Sequence, residues 1–171
     1  MNRLITSVVV GTIVALAGGC STSQKAEAPA PAACMLPAPM SNLVGEWMTT
    51  DEKGVKTLAS VITVSSSGSV LREVMFPGSG HEMTNMYHMD GDSIVLTHYC
   101  AIGNQPRMKA KPSPHQIDFQ FESVTNRKPA DQVYMGRCVI KFVDANTLDI
   151  DWTSYKDGKE SSHQPFHWTR K

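Results

Sequence analysis

The sequence predicts an all-β fold, an antiparallel barrel or sandwich spanning residues 43–171. Three observations point there. From Leu43 onward, short runs of alternating apolar and polar residues recur. Turn signals separate them: Lys53-Gly54, Ser67-Gly68, Pro77-Gly78, Asp90-Gly91, Gly103-Asn104, Asp144-Ala145-Asn146 and Asp157-Gly158. No segment carries a convincing helical stripe, and the one candidate, 123–135, contains Pro129 and reads as a loop. Ten strands are expected, at 43–50, 57–64, 69–76, 82–89, 92–100, 106–111, 115–122, 136–143, 146–153 and 163–170.

Two hairpins can be tested by side-chain parity. A three-residue loop at Asp144-Ala145-Asn146, with Asn146 left-handed, pairs Phe142 with Leu148, Ile140 with Ile150 and Cys138 with Trp152. All six then share one face, while Lys141, Asp149 and Asp151 take the other. A two-residue turn at Asp90-Gly91 pairs Tyr87 with Ile94, Asn85 with Leu96, Met83 with His98 and His81 with Cys100. A three-residue loop there would instead turn His88, Met86 and Thr84 inward.

Composition bounds the function. A hydrophobic content of 41% and a charged content of 19% exclude wholesale disorder. The chain carries 16 basic and 16 acidic residues, and removing residues 1–19 takes away only Arg3, leaving 15 against 16. That balance gives no electrostatic footprint for nucleic acid, and no nucleic-acid partner is expected.

The amino end reads as an address. Asn2-Arg3 precedes the apolar run Leu4–Leu16, which is shorter than the roughly 20 residues a spanning helix needs. Ala17-Gly18-Gly19-Cys20 follows and resembles a bacterial lipobox. The resemblance implies a signal peptide at 1–19, diacylglycerol on Cys20 and cleavage before it, and Ser21 favours the outer membrane, facing the periplasm. Residues 20–42, rich in Ala and with four Pro, read as a tether. Fully extended, it reaches on the order of 60 Å. The membrane is thus an expected partner, through Cys20.

Two resemblances refine the fold. Gly45-Glu46-Trp47 at the domain start, with Phe166-His167-Trp168-Thr169-Arg170 at its end, resembles lipocalin and other calycin barrels. It implies closure of one barrel end by Gly45, Trp47 and Arg170, the guanidinium stacking on the indole. Met86–Asp92, Leu96–Cys100, Gly103–Met108, Phe142–Ala145 and Tyr155–Lys159 are similar to an uncharacterised bacterial family of lipocalin-like, secreted or lipid-anchored proteins. That likeness covers 43–171 and implies a single antiparallel up-and-down lipocalin-like barrel of about 8–10 strands, with no settled activity. The family often has His-Met-His where this chain has Tyr134-Met135-Gly136, so a metal role based on those His does not carry over.

Function is sought on the inferred inner face. His81, Asn85, Tyr87, His98 and Cys100 fall there among apolar residues, and Arg107 sits in a polar loop that could border the barrel mouth. Buried polar groups need partners, so such a set serves a small, partly hydrophobic ligand, an internal network, or a face that the register has misassigned. Zinc on His81, His98 and Cys100 is a further reading, without C-x-x-C or H-E-x-x-H spacing to support it. The haem barrels offer only an architectural likeness. Cys100 and Cys138 could instead form a disulfide. No catalytic constellation is recognised, and the sequence names no cofactor. The primary expectation is a ligand-binding barrel. The rival is a protein-interaction module with a filled barrel, presenting the loops Ala101–Met108 and Ser123–Met135.

Overall fold

A computed structural model describes residues 32–129 and 132–171. The expected signal sequence, Cys20 and most of the tether lie outside the described residues. Ten strands follow: β1 (Gly45–Thr50), β2 (Lys56–Ser65), β3 (Val70–Met75), β4 (Met83–Asp90), β5 (Ser93–Tyr99), β6 (Gln105–Ala110), β7 (Gln116–Thr125), β8 (Tyr134–Asp144), β9 (Thr147–Lys156) and β10 (Lys159–Arg170). Each pairs antiparallel with its chain neighbours, and β1 pairs with β10, so the sheet is a closed up-and-down barrel with no free edge.

Alternation drives the closure. Leu71, Glu73 and Met75 of β3 are buried, as are Ile94, Leu96 and His98 of β5 and Leu148, Ile150 and Trp152 of β9. The apolar members of these inward sets form one core with Trp47, Phe119, Ile140 and Trp168. The tight turns have the residues they need. Asp157 and Gly158, between the paired Lys156 and Lys159, both have positive φ, as a type I′ hairpin requires.

The β8–β9 register is Phe142 to Leu148, Ile140 to Ile150 and Cys138 to Trp152. Asn146 does not take the expected left-handed conformation; its N–H donates to Asp144 Oδ1 at 2.7 Å, and a register shift between Phe142 and Asp144 absorbs the extra residue. The β4–β5 register differs from expectation. Asp90 pairs with Ser93, so the turn residues are Gly91 and Asp92, and Asn85 faces His98 while Tyr87 faces Leu96. The slip is by two residues, which preserves every inward assignment in the ladder. His81 and Cys100 do not pair; both lie beyond the strand ends.

Several boundaries move, and β9 and β10 reach closer to their turn than expected, ending at Lys156 and beginning at Lys159. The expected loop 123–135 is shorter, because β7 runs on to Thr125 and β8 begins at Tyr134. The packed domain starts before residue 43. Leu36 and Met40 are buried in the core, Met40–Leu43 forms a 3-10 turn, and Met35 N–H donates to Gly68 O at 2.8 Å. Their apolar side chains outweigh the extended preference of the neighbouring prolines.

One barrel end is sealed by the chain termini of the fold. Arg170 Cζ stands 4.3 Å from the Trp47 ring centroid, and Trp47 Nε1–H donates to Leu43 O at 2.8 Å. Arg170 donates to Val44 O at 2.9 Å and to Asn42 O at 2.8 Å. Gly45 has φ +135°, and a Cβ there would stand 2.7 Å from Arg170 Nη1. The connections β1–β2, β3–β4, β5–β6, β7–β8 and β9–β10 gather at the opposite end.

Candidate functional site

The site begins with a carboxyl group inside the barrel. Glu73 alternates with Leu71 and Met75 on the inner face of β3 and is 3% exposed. It accepts three hydrogen bonds: from Ser60 Oγ at 2.8 Å, Asn85 Nδ2 at 2.7 Å and Tyr87 OH at 2.6 Å. β2, β3 and β4 bring these groups together, since Ser60 lies two residues along β2 from Ile62, the direct partner of Glu73, and Asn85 lies opposite Glu73. Burial and then the Glu73 charge raise the Tyr87 pKa well above its ordinary value, so the phenol keeps its proton as a donor.

The network orients a histidine. Asn85 Nδ2 donates to Glu73, so Asn85 Oδ1 is left as the acceptor facing His98 Nδ1 at 2.7 Å. The Nδ1 atom must therefore carry the proton. Desolvation pushes the His98 pKa down from 6.5 to about 4, so the ring is neutral near pH 7. Its Nε2 is then a bare lone pair, and that atom is buried without a hydrogen-bond partner. Leaving such an acceptor unmatched costs about 1–3 kcal/mol. The imidazole leans on Trp152, with ring centroids 4.8 Å apart.

His98 also lines a cleft of about 290 Å³, together with Met75, Phe76, Met83, Met135, Trp152, Gln164 and Phe166. All come from the end opposite the Trp47 seal. Further in, the barrel is filled. Between Glu73, Tyr87, Cys138, Ile150, Trp152 and Trp168, the space is about 10 Å³, roughly that of a single water probe.

The remaining sequence candidates lie elsewhere. His81 is exposed in the β3–β4 connection. Cys100 follows β5 and engages the connection to β6, where its N–H donates to Asn104 O at 3.1 Å. Arg107 lies on the outer side of β6, ion-paired with Glu122 and 3.9 Å from Asp90. Arg107 is therefore in a strand and not in the expected loop, and the β5–β6 connection before it is tied to the β7–β8 connection: Asn104 Nδ2 donates to Val133 O at 2.9 Å, and Gln132 Nε2 donates to Ile102 O at 3.1 Å. His81, His98 and Cys100 thus do not converge as a zinc set, and among the described residues no three His, Cys, Asp or Glu side chains do. Cys34, Cys100 and Cys138 are free thiols, so the Cys100–Cys138 bridge is not formed.

Glu73, Ser60 and Trp152 were not among the expected site residues. The signal for Glu73 was parity, since it sits between Leu71 and Met75 on an inward face. Asn85, Tyr87 and His98 were expected and are brought together, with Tyr87 two residues from Asn85 on the same strand face. Comparison of the chain with protein-family models and with curated proteins gives no match.

Proposed function

We propose that the chain is a lipid-anchored cell-envelope protein, of the lipocalin-like bacterial kind, that reversibly binds a small, partly hydrophobic molecule in the cleft at the open barrel end. One observation carries the binding reading: a buried imidazole nitrogen without a partner stands beside an apolar cleft of about 290 Å³. Burial of the ligand's apolar surface against Met75, Met83, Met135, Trp152 and Phe166 supplies affinity. His98 orients the ligand, and Asn85, Tyr87 and Glu73 hold His98. The anchor rests on Leu16 to Ser21 of the sequence.

Native mass spectrometry of full-chain protein taken from bacterial membranes tests the binding. A bound mass that is lost on denaturation, and is absent from a Met83→Trp variant with a filled cleft, is the expected result. The same native mass for both proteins refutes binding in the cleft. Cys20→Ala is expected to move the protein from the membrane to the soluble fraction; unchanged fractionation refutes the anchor.

A second reading, an interaction module, draws on two observations. The middle of the barrel is filled, and Tyr99, Ile102 and Phe121 are large, apolar and exposed near the β5–β6 connection. Replacing these three by Ser would abolish partner capture in envelope cross-linking under this reading and leave it unchanged under the first.

A further inference from the structure

The hydrogen-bond relay behind the cleft restricts what chemistry the cleft accepts, and the argument rests on the binding reading above. Glu73 accepts from Asn85 at 2.7 Å, which rules out the flipped Asn85 amide, since that would set oxygen against oxygen. The unflipped amide offers His98 only an acceptor, at 2.7 Å, so His98 Nδ1 is the donor of that pair. What remains unmatched on the ring is Nε2, an acceptor with no proton to give, on a residue that lines the cleft.

The surroundings narrow the class further. Of the residues lining the cleft, only His98 and Gln164 have side-chain oxygen or nitrogen groups outside an indole ring, and among the described lining residues none is cationic at neutral pH. A carboxylate entering the cleft would meet a lone pair at Nε2 and, behind it, the buried Glu73. A cleft near the lower end of the usual 300–1,000 Å³ range takes a compact molecule of one or two rings rather than a long-chain lipid.

We infer that the cleft selects neutral, mostly apolar molecules that present one O–H or N–H donor to His98 Nε2, of the alcohol or phenol type, and discriminates against carboxylates and against ethers of the same shape. The relay Glu73–Asn85–His98 is the positioning device for that choice, and the selected feature is a single proton.

Three probes on one ring system test it. The binding of 2-naphthol, 2-methoxynaphthalene and 2-naphthoate to the purified full-chain protein is measured by titration calorimetry at pH 7.5. The expected order places 2-naphthol about tenfold or more ahead of both others, because only it satisfies the buried acceptor. His98→Phe is expected to bring 2-naphthol down to the level of the methyl ether. A nitrogen-15 NMR measurement of the histidines needs no variant: the His98 ring is expected to show a protonated Nδ1 and a bare Nε2.

Equal binding of naphthol and its ether, tightest binding of naphthoate, or a His98 ring protonated at Nε2 would overturn the inference while leaving the cleft a binding site. Absence of binding by all three probes would overturn the binding reading itself, and the inference with it.

Discussion

His98 makes the folded protein sensitive to acid in a definable window. In the unfolded chain it titrates near 6.5, whereas burial in the barrel lowers its pKa to about 4. Above pH 6.5 the ring is neutral in both states and contributes nothing to the pH dependence. Below that, protons bind the unfolded chain first, so stability falls with pH until the folded ring also protonates near pH 4. At 1.36 kcal/mol per pKa unit, the loss is about 2 kcal/mol by pH 5 and about 3 kcal/mol by pH 4. Urea unfolding followed by tryptophan fluorescence, at intervals from pH 7.5 to 4.5, measures it. The comparison protein is His98→Gln, whose amide can still donate to Asn85 Oδ1. Other groups titrate in the same range; His163 shifts upward, chiefly through its hydrogen bond to Asp151, and acid favours folding there. Subtracting the variant's stability from that of the wild type at each pH removes such common contributions. The difference is expected to fall by about 2 kcal/mol between pH 7.5 and 5. A flat difference, or one that rises on acidification, would refute the assignment of His98 as a buried neutral ring.

Further outcomes are expected. Glu73→Leu leaves Ser60, Asn85 and Tyr87 without their buried acceptor and is expected to lower stability by about 3 kcal/mol or more, whereas Glu73→Gln, whose amide oxygen can serve Asn85 and Tyr87 while its nitrogen donates to Ser60, costs about 1 kcal/mol. Equal urea midpoints for the two variants would contradict this. Gly45→Ala forces a side chain into a positive-φ position against Arg170 Nη1 and is expected to cost about 2 kcal/mol by thermal unfolding; an unchanged melting curve would show that the seal tolerates it. Under native conditions iodoacetamide is expected to modify Cys34 and Cys100 well before Cys138, which is fully buried and whose thiol pKa burial raises; peptide mass mapping that finds Cys138 first would argue against an inward Cys138.

Much of the barrel was legible because alternation is a local property. Phe142, Ile140 and Cys138 face Leu148, Ile150 and Trp152 on one wall, and either face could be read without knowing the rest of the chain. Parity at β4–β5 survived a misjudged turn, because a two-residue slip moves partners without turning them over. Partner identity was less robust: Asn85 reaches His98 only in the true register, with Gly91-Asp92 as the turn. Glu73 was hidden for a different reason. A lone acidic residue in a strand usually belongs to the wet face, and only the three donors converging from β2 and β4 reveal why it is inside. The core positions of Leu36 and Met40 were illegible because isolated apolar residues in a proline-rich stretch carry no period. The expected placements of His81 and Cys100 failed where the ladder ends, since pairing rules do not extend into connections.

The packed middle of the barrel has a kinetic consequence. With about 10 Å³ of space around Glu73, Tyr87 and Trp152, and the far end stoppered by Trp47 and Arg170, there is no axial passage. Under the proposed binding, a molecule in the mouth would have one doorway and would depart by the route of its arrival. A competitor cannot displace it from behind and must wait for the doorway to clear. Exchange at such a site would be first order in the occupied protein and independent of competitor concentration.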